Sequence, residues 1–143
     1  MPTGAERSAL ADTSVVVPAL RELDPCSPPC RTALQERRAG LAGHAYFETV
    51  SVMSRLPDRF HTDAASVIEA LERNLGAPRF LDAGEQTALA RHLATTDIGG
   101  GAGYDALVGW AAVCADLPLL TLDRRALPTY RALGVRVEWV DVG

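Results

Sequence analysis

The chain has 143 residues, of which 48% are hydrophobic and 22% are charged, a balance typical of one soluble globular domain. Its formal charge is −4, and all fourteen basic residues are Arg because the sequence contains no Lys. General nucleic-acid binding needs many cations facing phosphates, so this composition excludes a broadly basic scaffold but not a local basic patch.

Targeting segments and a cysteine framework are not expected. No stretch reaches the roughly 20 apolar residues that span a bilayer, and Glu6 and Arg7 interrupt the region where a signal peptide would need an apolar core. Cys26, Cys30 and Cys114 are odd in number and lack the spacing of a zinc site. We expect reduced thiols in a cytoplasmic protein, with a Cys26–Cys30 disulfide as the alternative.

The hydrophobic pattern alternates helices with short apolar strands. In chain order it predicts a strand at 8–11, a helix at 15–23, a proline-rich turn at 24–29, a helix at 31–38, a strand at 41–43, helices at 45–56 and 64–74, a strand at 79–81, helices at 84–93 and 104–115, a strand at 118–122, a helix at 124–133 and a strand at 135–140. This order predicts one α/β domain over residues 1–143, with a parallel sheet of about four or five strands and helices on both faces.

Two acidic residues follow predicted strands directly. Asp12 follows the first strand, and Asp123 follows the strand at 118–122. Ligands of parallel sheets bind outside the carboxyl ends of the strands, so these residues would face one cleft if their strands are neighbours. Either residue also suits a helix N-cap, because a helix follows it at once, and that structural role stays open.

Glu48 lies on a polar stripe of the predicted helix at 45–56. At about 100° per residue, His44, Glu48, Ser51 and Arg55 fall on one side of this helix. The rest of its circumference is mostly apolar, which predicts a buried helix whose polar stripe lines a cleft or meets a partner. The alternative is a solvated edge with a contact between Glu48 and Arg55.

Asp105 shares one helix face with Gly109, Ala112 and Asp116. The small residues would leave room beside Asp105, as the wall of a cleft requires. A carboxylate in the first turn also interacts favourably with the helix dipole, which is the structural alternative. Asp116 lies roughly 16 Å further along the helix, so it cannot share a metal ion with Asp105 and is expected at the surface or the helix end.

Several carboxylates at one point repel each other unless a cation neutralises them. A hard divalent ion such as Mg²⁺ prefers carboxylate and water oxygens, and it can polarise a phosphate and activate a bound water. An acidic cluster without His or Cys ligands therefore points to Mg²⁺ or Mn²⁺ and phosphodiester chemistry rather than to zinc.

At these positions the sequence resembles the PIN-domain family, and specifically the VapC ribonuclease toxins of bacterial toxin–antitoxin modules. The matching segments are ADTSVVVPAL at 11–20, HAYFETVSVMSRL at 44–56, GYDALVGWAA at 103–112 and LLTLDRRA at 119–126. They extend from near the N-terminus to the last quarter of the chain, so the resemblance covers essentially the whole sequence.

The resemblance implies a PIN-like fold and a metal-dependent endoribonuclease that hydrolyses phosphodiester bonds with metal-activated water. Its ion would be Mg²⁺, with Mn²⁺ able to substitute. Its partners would be RNA, a second copy in a homodimer, and an antitoxin whose tail enters the acidic groove. The implied catalytic and metal-binding acids are Asp12 and Asp105 as main ligands, completed by Glu48 and Asp123. The implied supporting hydroxyls are those of Thr13, Ser14 and Thr121.

Three arginines are candidates for RNA binding, because guanidinium groups bind phosphates bidentately: Arg55, Arg124 and Arg125. Two other functions stay open at this point. One is a PIN nuclease of RNA maturation or decay without an antitoxin, and the other is a non-catalytic module whose acidic cleft holds a partner's Arg residues. A loose G-x-G-x-x-A motif at 101–106 follows no convincing strand, so dinucleotide binding is not expected.

Overall fold

The structure, a computed structural model, describes residues 6–57 and 62–143. Within these residues, four short strands form a central sheet in which every neighbouring pair is parallel. The strands are β1 (Leu10–Ala11), β2 (Gly40–Leu41), β3 (Leu119–Thr121) and β4 (Val137–Trp139). Their order in the sheet is β2-β1-β3-β4, so β1 and β3 are neighbours, as the cleft hypothesis requires.

Seven α-helices surround this sheet in the described part of the chain. They are α1 (Thr13–Leu20), α2 (Ser27–Arg37), α3 (Ala45–Ser54), α4 (Ala64–Asn74), α5 (Ala83–Thr96), α6 (Ala102–Ala115) and α7 (Leu127–Ala132). Helix α1 packs on α2 and α3, and α6 packs on α5 and α7. The predicted α/β architecture with a parallel sheet is confirmed. No helix in the two described ranges is long and apolar enough to cross a membrane.

The core lies where apolar helix faces cover the sheet. Strands β1, β2 and β3 are buried along their whole length, which explains why they are continuous apolar runs. Strand β4 at the sheet edge is partly exposed. Fully buried side chains from the strands and helices include Leu10, Val15, Val16, Leu41, Val67, Leu119 and Tyr130.

Two predicted elements are wrong. The turn predicted at 24–29 gives way after Cys26 to α2, which contains Pro28 and Pro29 in its first turn. Proline is tolerated there because the first N–H groups of a helix have no intrahelical acceptor. The strand predicted at 79–81 is reduced to a single bridge between Ala42 and Arg79. Most other boundaries move by one to three residues, and the bounds of α4 agree with the prediction.

The predicted burial of the helix at 45–56 is also wrong. Helix α3 buries Ala45, Thr49 and Met53, which form a single stripe. Phe47 is 60% exposed. Some apolar side chains of α3 are therefore exposed to solvent, because the helix packs against α1 and α4 on one side only.

The three cysteines, Cys26, Cys30 and Cys114, are free thiols. Burial, followed by the nearby Cys26 and Asp24, raises the pKa of Cys30 to about 11. The Cys30 thiol therefore stays protonated near neutral pH, where the thiol form is a poor nucleophile.

The space expected beside Asp105 is occupied by the ring of Tyr130. A Cβ added to Gly109 of α6 would lie 3.0 Å from Tyr130 Cδ1 and 3.0 Å from Val135 Cγ2. Gly109 thus allows α7 to approach α6 closely, and it is a packing residue instead of the wall of an open cleft.

This close approach predicts opposite effects for two alanine substitutions in α6. Gly109→Ala should lower the free energy of unfolding by about 1–3 kcal/mol, because the new methyl group meets a filled site. Gly103→Ala, with nothing within 4 Å of its added Cβ, should raise it by up to about 1 kcal/mol through helix propensity. Urea unfolding measures both variants, and equal changes would contradict the packing explanation.

Candidate active site

Asp12 lies at the carboxyl end of β1 and is buried, with 4% of its surface exposed. Its Oδ1 accepts hydrogen bonds from the Ser14 N–H at 3.0 Å and from the Ser14 hydroxyl. Its Oδ2 accepts from Thr121 Oγ1 at 2.6 Å and from the Tyr130 hydroxyl at 2.8 Å. Each oxygen of this carboxylate therefore accepts two hydrogen bonds, which replace part of the hydration lost on burial. The N-cap role of Asp12 on α1 is confirmed.

The charge of Asp12 is nevertheless costly in this position. Burial raises the pKa of Asp12 above its ordinary value of 3.8, and the nearby Asp123 raises it further. Hydrogen bonds from Ser14, Thr121 and Tyr130 act in the opposite direction. Since hydrogen bonds alone do not offset desolvation, the ionised form would gain from a cation at the site.

Tyr130 is a site residue that the sequence analysis missed. It is 2% exposed, and burial together with the hydrogen-bonded Asp12 raises its pKa, so its hydroxyl stays a neutral donor. The charges of Asp105 and Asp123 raise the pKa of Tyr130 further. The sequence carried no signal for this role, because the contact joins residues 118 positions apart.

Asp123 and Asp105 are joined by one arginine. Asp123 Oδ1 accepts from the backbone N–H groups of Arg125 at 3.0 Å and Ala126 at 3.3 Å. Asp123 thereby caps the 3₁₀ helix Arg124–Ala126 that precedes α7, which confirms its capping role. The Arg125 guanidinium donates to Asp123 Oδ2 at 3.1 Å and to both oxygens of Asp105 at 3.0 and 3.3 Å. The two carboxylates therefore share a single cation.

Glu48 stands apart from this network. It lies in the first turn of α3, is exposed, and no hydrogen bond or ion pair within the described residues connects it to the other three acids. The alternative contact with Arg55 is not formed, since Arg55 Nε donates to the Ser51 carbonyl at 3.2 Å. His44 of the same stripe stacks on Tyr104 with ring centroids 5.6 Å apart, so the stripe faces the first turn of α6.

Of the three predicted supporting hydroxyls, two reach the acids. Thr121 binds Asp12 and also accepts from the Asp123 N–H at 3.0 Å, so it connects these two residues. Ser14 binds Asp12 and accepts from the Leu122 N–H at 2.8 Å. The Thr13 hydroxyl points elsewhere and donates to the Ala45 carbonyl of α3 at 3.3 Å.

Carboxylate oxygens suit a hard divalent ion, but the described residues do not form a complete set of metal ligands. Within residues 6–57 and 62–143, no three His, Cys, Asp or Glu side chains are grouped so that they could hold a metal ion. The oxygens present are those Mg²⁺ prefers, and two of the carboxylates already hold a cation, the Arg125 guanidinium. The carboxylate ligands therefore fit Mg²⁺, and Arg125 binds two of them, Asp105 and Asp123.

Two ribonucleases of Mycobacterium tuberculosis are similar to the chain over most of its length. Ribonuclease VapC27 is 38% identical over 126 residues, which cover 88% of this chain and 92% of that protein. Ribonuclease VapC40 is 43% identical over 106 residues, which cover 73% of this chain and 78% of that protein. The chain belongs to the VapC ribonuclease family. The resemblance inferred from four short segments is thereby confirmed.

Two solved structures share the fold of this VapC-family chain. The structure of FitAB bound to an IR36 DNA fragment gives a TM-score of 0.62 at 18% identity, covering 92% of this chain and 94% of that chain. FitAcB from Neisseria gonorrhoeae gives 0.60 at 15% identity, covering 90% and 95%. At this identity the likeness concerns the fold, and it agrees with the predicted PIN-like architecture. No protein-family model matches the chain.

The hydrogen bond from Tyr130 to Asp12 predicts a measurable loss of stability in this VapC-family protein. Tyr130→Phe should lower the free energy of unfolding by about 1.5–3 kcal/mol, the range for a hydrogen bond to a charged group. Urea unfolding at pH 7 measures this loss. Tyr104→Phe, which alters a phenol on a residue that is 61% exposed, should change stability by less than about 0.5 kcal/mol. Equal losses in the two variants would contradict the account.

The raised pKa of Asp12 predicts a pH-dependent difference between the wild type and Asp12→Asn. Because the folded-state pKa lies above 3.8, ionisation of Asp12 opposes folding. The stability of the wild type relative to the variant should therefore be highest below about pH 3.8 and should fall as pH rises through the folded-state pKa. Unfolding free energies measured against pH in chelator give this difference. A difference that does not depend on pH would show that burial does not raise this pKa.

Proposed function

We propose that the chain is a divalent-metal-dependent endoribonuclease that acts as the toxin of a toxin–antitoxin module. The observation that carries the proposal is the set of contacts that joins three acids at the carboxyl edge of the sheet. Thr121 links Asp12 to the backbone of Asp123, and Arg125 links Asp123 to Asp105. Membership of the VapC ribonuclease family supports the same reaction class. Acidic side chains in this place are suited to a hard cation and a phosphodiester substrate.

Asp12 and Asp105 are proposed as the main ligands of Mg²⁺ or Mn²⁺, with Glu48 and Asp123 completing the site directly or through water. When bound, such an ion polarises a phosphate oxygen and lowers the pKa of a bound water. Glu48 would contribute from α3, whose polar stripe faces α6 through the stacked pair of His44 and Tyr104.

The residues around Asp12 would hold this ligand in one orientation. Ser14, Thr121 and Tyr130 donate to it from α1, β3 and α7, so rotation of the carboxylate would break several hydrogen bonds at once. A ligand that is already oriented pays no ordering entropy when an ion binds. We therefore assign Tyr130 a positioning role, acting through Asp12.

RNA phosphates are proposed to bind at the arginines beside Asp123. Arg124 is exposed and lies over the ring of Trp139, with its guanidinium carbon 4.9 Å from the ring centroid. Its neighbour Arg125 has a side chain that is 70% exposed. Arg55 is exposed at the end of α3 and would contact RNA further from the acids.

Protein partners are proposed on the basis of family membership and of one exposed aromatic group. Tyr46, Phe47 and Phe80 contact each other, with ring centroids 5.6–5.8 Å apart, and Phe47 and Phe80 are 60% and 46% exposed. Exposed apolar clusters of this kind are commonly covered by a partner. An antitoxin, whose tail would enter the acidic groove, and a second copy of the chain are the proposed partners.

One observation favours a second candidate function. Asp105 and Asp123 already bind a guanidinium, which is the chemistry of a non-catalytic module that holds a partner's Arg residues. Titration with Mn²⁺ separates the two functions, because a binding module needs no divalent ion. A nuclease of RNA maturation is distinguished by the absence of an inhibitor encoded in a small neighbouring reading frame.

The proposed activity predicts that Asp105→Asn abolishes Mg²⁺-dependent cleavage of RNA while the protein stays folded. The loss should be about 100-fold or more, since a carboxylate that holds the ion acts on the transition state. Cleavage of a fluorescent RNA with and without EDTA measures activity, and circular dichroism measures folding. Asp116→Asn is the matched control, because Asp116 ends the same helix, is exposed and pairs with Arg136. Undiminished cleavage by Asp105→Asn would refute the assignment.

A further inference from the structure

Arg125 differs from every other arginine of the described residues in that it contacts two of the proposed metal ligands. It forms ion pairs with Asp105 at 3.0 Å and with Asp123 at 3.1 Å. Arg124, which precedes it, is directed to Trp139 instead. Two adjacent side chains of equal charge therefore have different surroundings, and only one of them is bound to the acids.

The guanidinium occupies oxygens that a metal ion would need. It donates to both oxygens of Asp105 and to Oδ2 of Asp123. In the described ranges, no three acidic, His or Cys side chains form a group that could hold an ion. Because two cations at the same carboxylates repel each other, the guanidinium and a metal ion compete for these oxygens.

The geometry also allows Arg125 to leave without disturbing the acids. Its side chain is 70% exposed, whereas those of Asp105 and Asp123 are 14% and 27% exposed, so the cation covers the carboxylates from the solvent side. Asp123 remains fixed by the backbone N–H groups of Arg125 and Ala126 when the guanidinium moves away. Because the guanidinium itself is exposed, water can replace its contacts when it leaves, which makes such a cation easy to displace.

We propose that Arg125 is a displaceable cation: it neutralises Asp105 and Asp123 in the metal-free protein, is expelled when a divalent ion binds, and is then free to contact an RNA phosphate. The inference rests on the proposed metal-dependent function and adds that Arg125 and the divalent ion compete for the same carboxylates. Metal occupancy and phosphate binding are thereby coupled through one side chain. By linkage, RNA that holds Arg125 away from the acids also favours binding of the ion.

The test is the affinity for Mn²⁺, measured by isothermal titration calorimetry without RNA. Arg125→Ala should bind Mn²⁺ about 2- to 30-fold more tightly than the wild type, the range that two exposed ion pairs imply. Arg125→Gln, which keeps a hydrogen-bonding side chain but loses the charge, should change in the same direction. Arg124→Ala removes the same charge one residue away and should stay within about twofold of the wild type.

Any of three other results of the Mn²⁺ titration would overturn the proposal. Unchanged or weaker Mn²⁺ binding by Arg125→Ala, in a wild type that does bind Mn²⁺, would refute the competition and leave the proposed nuclease intact. Equal tightening in Arg124→Ala would show a bulk charge effect. If neither the wild type nor any variant binds Mn²⁺, the metal-dependent function fails together with this inference.

The released side chain gives a second readout. Mn²⁺ should increase the affinity of the wild type and of Arg131→Ala, which alters an exposed arginine of α7, for a short fluorescent RNA. Fluorescence anisotropy measures the affinity, and a gel of the same sample verifies that the RNA is intact. The increase should be at least about twofold smaller in Arg125→Ala, because the arginine that the ion would release is missing. An equal increase in all three proteins would refute the phosphate contact of Arg125.

Discussion

The buried carboxylate of Asp12 is the interaction on which the arrangement of the site depends. A carboxylate removed from water is costly unless hydrogen bonds or a cation replace its hydration. The fold supplies donors from three elements, namely Ser14 of α1, Thr121 of β3 and Tyr130 of α7. These donors come from residues up to 118 positions away in the chain. Satisfying one charge at the end of β1 therefore fixes the start of α1, the end of β3 and the approach of α7.

The outer acids follow a different rule, because they are less buried. Asp105 and Asp123 keep partial contact with solvent, and their negative charge is offset by Arg125 and not by a set of buried hydroxyls. Asp123 combines both situations, since its Oδ1 binds backbone N–H groups while its Oδ2 binds the guanidinium. The site thus has an inner carboxylate that the fold holds in place and outer carboxylates whose neutralising partner is exchangeable.

The sequence predicted those features that depend on local pattern. Apolar strands, N-capping acids and the neighbouring positions of Asp12 and Asp123 followed from hydrophobic runs and from the geometry of parallel sheets. The proline-rich start of α2 was misjudged because Pro is compatible with both a turn and a first helical turn. The exposed Phe47 and the contact of Tyr130 could not be predicted, since each is decided by which helix packs beside it.

The net negative charge of the chain can be assigned to one place, the proposed acidic site. Eighteen acids oppose fourteen arginines, so setting aside the four proposed site acids leaves fourteen of each sign and a remainder without net charge. Such a remainder gives RNA little long-range attraction, and the uncompensated cleft would repel a phosphate at close range. The negative charge of the site acids must then be neutralised before an RNA phosphate can approach them. One guanidinium leaves most of that negative charge in place, whereas a divalent ion removes more of it and leaves Arg125 beside the cleft as an additional positive group.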